Sequence, residues 1–265
     1  MGWGKPHPIF SLVQGAVLTR LNLETIYSPN ALAKIHPFWR VEISEWLRYI
    51  NEKNQSERFI PRLTPLRPRQ RDETLAEIYS AFFIERVLRY PVIDWERKTV
   101  GGRDVDLVVQ SGVNEIYCEV KSPGWESELT DEEKKSTRKE KPKYINAEAR
   151  SFAPWLAIRS AVKKATPKFI NGKQNLVIVN DDLFISPASL DYQSQHNVDI
   201  ALRYSGSTIY GGEKGLFCQD AYRIVGGVLL IQSQCRSDGI HRLCRLELNP
   251  NASEQLEFEV HLPQE

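Results

Sequence analysis

The chain has 265 residues, 41% of them hydrophobic and 26% charged, with a formal net charge of +1 and a pI of about 7.7. That length holds one large domain, or a core with an addition, and the near-neutral balance excludes nucleic-acid binding through bulk basicity, so any such contact must come from local patches. Four cysteines (Cys118, Cys218, Cys235, Cys244) and five scattered histidines lack the close pairing of zinc sites. With no secretory signal and no apolar run near the ~20 residues of a membrane span, the chain reads as cytoplasmic with reduced thiols. Asn251-Ala252-Ser253 therefore has no weight as a glycan acceptor.

Residues 1–70 read as an N-terminal helical extension ahead of a larger unit over 71–265. Ser28-Pro29-Asn30 opens one helix, and Val41, Ile43, Trp46, Leu47 and Ile50 form an apolar stripe on another. Trp39, Trp46 and Tyr49 are expected in the core. Arg58 to Arg71 combines three prolines with five arginines. It reads equally well as a solvated linker or as a strip whose Arg62, Arg67, Arg69 and Arg71 contact phosphates. From Asp72, a candidate N-cap, to Tyr90 the pattern is helical and Pro91 ends it. Glu77 and Glu85 are that helix's two candidates for an acid facing the following strands. Glu77 is preferred, and Glu85 is otherwise an i,i+4 partner of Arg89.

A strand over Val92–Val100 and a Gly101-Gly102 bend lead to the most informative segment. Asp104 to Val109 and Glu115 to Lys121 are β-branched, apolar runs separated by Ser111-Gly112-Val113-Asn114. A turn centred between Gly112 and Val113 sets Asp106 opposite Glu119 and Asp104 opposite Lys121. Alternation then gathers these four on one face and Leu107, Val109, Ile116, Cys118 and Val120 on the other. Two opposed carboxylates repel unless something positive lies between them, so removing either is expected to relieve the metal-free protein. Mg2+ or Mn2+, taking carboxylate, carbonyl, water and phosphate oxygens, suits that place. The bland alternative is a solvated face neutralised by Lys121 and Arg103.

Ser122 to Lys143 is a charged excursion in which Lys134, Lys135, Arg138, Lys139, Lys141 and Lys143 alternate with acids, favouring a solvated reading. A helix over Tyr144–Phe169, interrupted at Pro154, ends with Lys163, Lys164 and Lys168, which suit its C-terminal dipole. Asn175–Asn180 is a buried strand. Beyond it the pattern gives a helix near Val198–Tyr204 and strands near Ile224–Ile231, Arg242–Leu248 and Leu256–Leu262.

Asp106 before an apolar triplet, with Glu119-Val120-Lys121 thirteen positions later, resembles the PD-(D/E)XK (restriction-endonuclease-like) nuclease superfamily over about Arg71 to Asn180. Val105 stands where that family's name has proline. The resemblance implies a mixed α/β (α+β) fold with an αβββαβ core, here followed by C-terminal strands. It implies catalytic Asp106, Glu119 and Lys121, a helix acid (Glu77), and a metal held by Asp106, Glu119 and the Val120 carbonyl. The activity implied is metal-dependent hydrolysis of nucleic-acid phosphodiesters, with DNA the more expected partner, no membrane, and a homodimer admitted. Lys163 and Lys164 join the four arginines as candidate phosphate contacts. Two readings compete: a nuclease-fold protein that binds nucleic acid or a protein without cutting, and a structural module whose hairpin acids are surface decoration.

Overall fold

The computed structural model describes residues 20–63, 68–98, 104–122, 154–180, 194–206 and 213–261. Four helices lead: α1 (Leu23–Ile26), α2 (Pro29–Ala33), α3 (Pro37–Glu52) and α4 (Ser56–Leu63). Ser28 caps α2 by accepting from the Ala31 amide. On α3 the residues Ile43, Trp46, Leu47 and Ile50 are buried at i, i+3, i+4 and i+7, as are Trp39 and Tyr49. Val41, expected in that stripe, is 61% exposed, because it lies about half a turn away from Ile43 on the helix.

In its described parts, 58–63 and 68–71, the proline and arginine strip is helical where irregular chain was expected. Pro61 sits inside α4, whose Phe59 and Leu63 are fully buried one turn apart, so packing outweighs the lost amide bond. Helix α5 (Pro68–Phe82) begins a turn before the expected cap at Asp72. Its first residue is a proline, where an amide would have no intrahelical partner anyway. Thr74 to Ala81 are all buried, and a π-helical turn, Phe83–Val87, follows.

Strands β1 (Val92–Lys98), β2 (Asp104–Ser111) and β3 (Asn114–Lys121) form an antiparallel meander. The hairpin register is the expected one: Leu107 pairs with Cys118, Val109 with Ile116, and Ser111 with Asn114. Gly112 turns the chain at φ +56°, a left-handed value that costs glycine little. Helix α6 (Pro154–Ala165) and a 3-10 turn, Thr166–Lys168, return the chain to β4 (Gln174–Asn180), parallel to β3. The helix expected from Tyr144 is described from Pro154 onward; its earlier residues, like Gly101-Gly102, lie outside the described residues. The order αβββαβ is therefore present, within a mixed α/β protein.

A short helix, α7 (Gln195–Val198), a π-helical turn (Asp199–Arg203), and strands β5 (Gly227–Arg236) and β6 (Gly239–Leu248) complete a six-stranded sheet in the order β1-β2-β3-β4-β5-β6. Leu256–Leu262, expected as a strand, is irregular chain over its described part. Side chains take its polar groups: the Glu257 amide donates to Gln174 Oε1 at 2.9 Å and the Glu259 amide to Tyr90 Oη at 3.1 Å. Leu256 and Phe258 are nonetheless buried.

Two cores flank the sheet. Trp46, Ile50, Phe59, Leu75 and Ile78 share one with Leu107, Val109, Ile116 and Cys118, so the leading helices and the sheet bury a common surface. Ile158 and Val162 share the other with Val108, Tyr117 and Val177. Among the described residues no helix is long and apolar enough to cross a membrane.

The last residue of β4 locks α5 in place. Asn180, fully buried, donates from Nδ2 to the Ala76 carbonyl at 3.0 Å and to Ser80 Oγ at 3.2 Å. Asn180→Ala is expected to lower the urea-unfolding free energy by ~1–3 kcal/mol, since it strands a buried carbonyl. An unchanged midpoint would show that this tie contributes nothing.

Candidate active site

Alternation along β2 breaks at Asp106. Leu107 and Val109 belong to one core, but Val105 turns to the opposite one. Beyond the Leu107–Cys118 pair, the Val120 amide donates to Asp106 Oδ2 at 2.8 Å, so a carboxylate serves where a strand carbonyl would. The Asp106 side chain is thereby held at the end of β3. Asp104, expected opposite Lys121, lies across from Lys98 of β1 instead.

Glu119 sits on central strand β3 opposite Val177 of β4 and is fully buried. Lys121 Nζ lies 2.6 Å from Glu119 Oε2 and 3.8 Å from Asp106 Oδ2, and it donates to the Val120 carbonyl at 3.0 Å. A second ammonium, that of Lys168, lies 2.9 Å from the same Glu119 oxygen and 3.4 Å from Asp106 Oδ1. Glu119 Oε1 is buried without a hydrogen-bond partner. Burial pushes the Glu119 carboxyl up, Asp106 adds to the rise, and the two lysines oppose it. Burial lowers Lys168, but Asp106 and Glu119 outweigh that and raise it. The expected bare repulsion of two acids is therefore corrected. Two ammoniums lie between the carboxylates, so removing Glu119 strips both of a shared partner instead of relieving strain.

Helix α5 brings Glu77 to the same place. Arg62 of α4 grips both Glu77 oxygens and reaches Glu96 of β1 at 3.1 Å. Burial pushes the Glu77 carboxyl up to about 7 against the pull of Arg62, with Asp106 adding to the rise. Arg62, Glu77, Asp106, Val120 and Lys121 line one cleft of about 260 Å³, with Glu73 and Lys164 at its other walls. At ~30 Å³ per water, that space takes a hydrated ion and a phosphate group. Glu85 is elsewhere: it accepts from Tyr49 Oη at 2.9 Å and from the Val92 amide at 3.2 Å, and pairs with Lys53 rather than Arg89. It fastens α3 to the start of β1.

The basic candidates divide. Arg62 is committed to Glu77 and Glu96. Arg71 stacks on Tyr27 at 4.4 Å and lies 3.5 Å from Asp72. Arg67, the side chain of Arg69, and the lysines and arginine between 134 and 143 lie outside the described residues. Lys163 and Lys164 are exposed on the last turn of α6, and Lys164 faces the cleft. Sequence reasoning missed the place of Lys168, which it assigned to a helix dipole, and it missed Glu73. The i,i+4 spacing of Glu73 and Glu77 was the available signal for the latter. No three His, Cys, Asp or Glu side chains form a metal-holding group among the described residues.

The Glu77 environment sets a pH dependence. Folded protein keeps that proton up to about 7, whereas an ordinary glutamate releases it near 4.5. Between these values the folded state binds more protons, so its stability falls as pH rises through the window. Glu77→Gln should flatten that slope in urea unfolding followed from about pH 4.5 to about pH 7.5. An unaltered slope would mean that Arg62 keeps Glu77 ionised throughout.

No protein-family model matches the chain, and no curated protein does. Among solved structures it is similar to Pyrococcus furiosus SfsA in complex with Ca2+, at 14% identity and a TM-score of 0.25, over 68% of this chain. The matched part spans 62% of that protein's length. A likeness of that size leaves fold and function to the residues themselves.

Proposed function

We propose that the protein is a metal-dependent nuclease of the PD-(D/E)XK type, hydrolysing phosphodiester bonds in nucleic acid, DNA before RNA. The observation that carries this reading is the convergence of Asp106, buried Glu119 and Lys121 at the end of β3, where Asp106 and Lys121 line the cleft that Glu77 enters from α5. Three elements, β2, β3 and α5, supply these residues, and decoration would not need to bury Glu119 completely.

The donor set fits a hard divalent cation. Glu119 Oε1 is a buried carboxylate oxygen without a hydrogen-bond partner, Lys121 and Lys168 join the other oxygen to Asp106, and the Val120 carbonyl is at the same end of the strand. Mg2+ ordinarily uses one or two carboxylates and completes its shell with waters and phosphate oxygens, so the lack of a third clustered ligand is no obstacle. Asp106, Glu119 and the Val120 carbonyl would hold Mg2+ or Mn2+, which when bound supplies Lewis acidity toward the phosphate. The Val120 amide fixes Asp106 for that task. Lys121, anchored on its own strand, orients the attacking water through Nζ and offers positive charge to the phosphate oxygens. Glu77, its carboxyl raised by burial, accepts or returns a proton at the cleft wall.

A second reading has its own support: the two lysines already neutralise the acid pair, as a silent nucleic-acid-binding relative would allow. Incubating purified protein with plasmid, linear DNA and RNA, with Mg2+, Mn2+ or EDTA, separates the two. The nuclease reading expects metal-dependent cutting, lost in Lys121→Ala; binding without cutting under every condition favours the silent one. Substrate binding should also depend on the exposed end of α6. Lys163→Gln with Lys164→Gln is expected to flatten the log-log salt dependence of DNA binding by roughly 0.7 to 0.9 per true phosphate contact. An unchanged slope would move the phosphate track to another face.

A further inference from the structure

Two ammoniums and two carboxylates already balance at the end of β3, and Glu119 is fully buried there. Adding a divalent cation without other change would leave two excess positive charges at a desolvated carboxylate, which is strongly unfavourable. One ammonium has to leave. The two lysines differ in how they are held. Lys121 belongs to β3 itself, its side chain is 20% exposed, and its Nζ also donates to the Val120 carbonyl. Lys168 hangs from the 3-10 turn after α6, a separate element, and its side chain is 35% exposed. Its ammonium can swing to solvent by rotating about its own side-chain bonds, with no strand atom to release.

We propose that Lys168 is a tethered counter-ion that occupies the Asp106–Glu119 pair until a divalent cation displaces it, so that cation and lysine compete for the same carboxylate oxygens. This rests on the metal-dependent reading above. The competition has a consequence for loading. A phosphodiester in the cleft gives the displaced ammonium a new anionic partner, so substrate favours cation entry and, by reciprocity, the cation favours substrate. Lys168 is thus a positioning residue that couples the two bindings.

The test is calorimetric titration of Mn2+ into the full chain, comparing the parent with Lys168→Met and Lys168→Gln, and with Glu119→Gln as the control that removes a ligand. Both Lys168 variants are expected to bind Mn2+ about tenfold more tightly than the parent. Mn2+ should also raise their melting temperature more than it raises the parent's. A lysine needed only for folding would give equal or weaker Mn2+ binding once the variants are folded. Equal or weaker binding in both variants, with the parent binding Mn2+ and Glu119→Gln not, overturns the counter-ion role and leaves the nuclease reading standing. Absence of Mn2+ binding in the parent and both Lys168 variants overturns the metal reading and the lysine's role together.

Discussion

A carboxylate buried in the middle of a sheet governs this molecule. Glu119 has no solvent of its own, stands on a strand with neighbours on both sides, and can stay charged only if the surrounding elements bring positive charge to it. Two do so: β3 through Lys121 and the turn after α6 through Lys168. The break in alternation at Asp106 follows from the same need. It turns that carboxylate toward the Val120 amide and the lysines, and lets Val105 join the opposite core.

A second buried carboxyl group, held by a guanidinium, builds the opposite wall of the cleft. Glu77 is nearly inaccessible on a helix packed on all sides, and Arg62 joins it to Glu96, so α4, α5 and β1 meet at one guanidinium. Asn180 ties α5 from the far side, three strands away from β1. An arginine used in this way is not available to a phosphate backbone without losing its carboxylate partners. The electrostatics of the cleft are therefore balanced within the protein, in keeping with the neutral chain as a whole.

Much of the frame is readable from local pattern. The hairpin register follows from period-two alternation around a Gly112 turn, because a slip of one residue would turn Leu107, Val109, Ile116 and Cys118 away from the core they share. The αβββαβ order follows from apolar runs and their breaks. Reading failed where tertiary contact overrode local preference. Prolines predicted irregular chain at Arg58–Arg71, but buried Phe59 and Leu63 hold α4 together across Pro61. Leu256–Leu262 looked like a strand because Phe258, Val260 and Leu262 are apolar at period two, yet side chains rather than a neighbouring strand satisfy the amides of Glu257 and Glu259.

By itself the sequence determined that Asp106 and Glu119 come to the same end of the β2–β3 hairpin and that Lys121 ends β3, since thirteen residues and one turn leave a hairpin few other ways to close. It narrowed the helix acid to Glu77 or Glu85 and preferred Glu77 without fixing it, because helical periodicity places a residue on a face but does not say what the face meets. Tertiary structure decided that. It turned Glu77 into the cleft and Glu85 toward Tyr49 and Val92, and it carried Lys168 across from another element to the acid pair. Such a contact joins residues 62 positions apart, and only the packing of α6 against the sheet brings their charges within a few ångströms of each other.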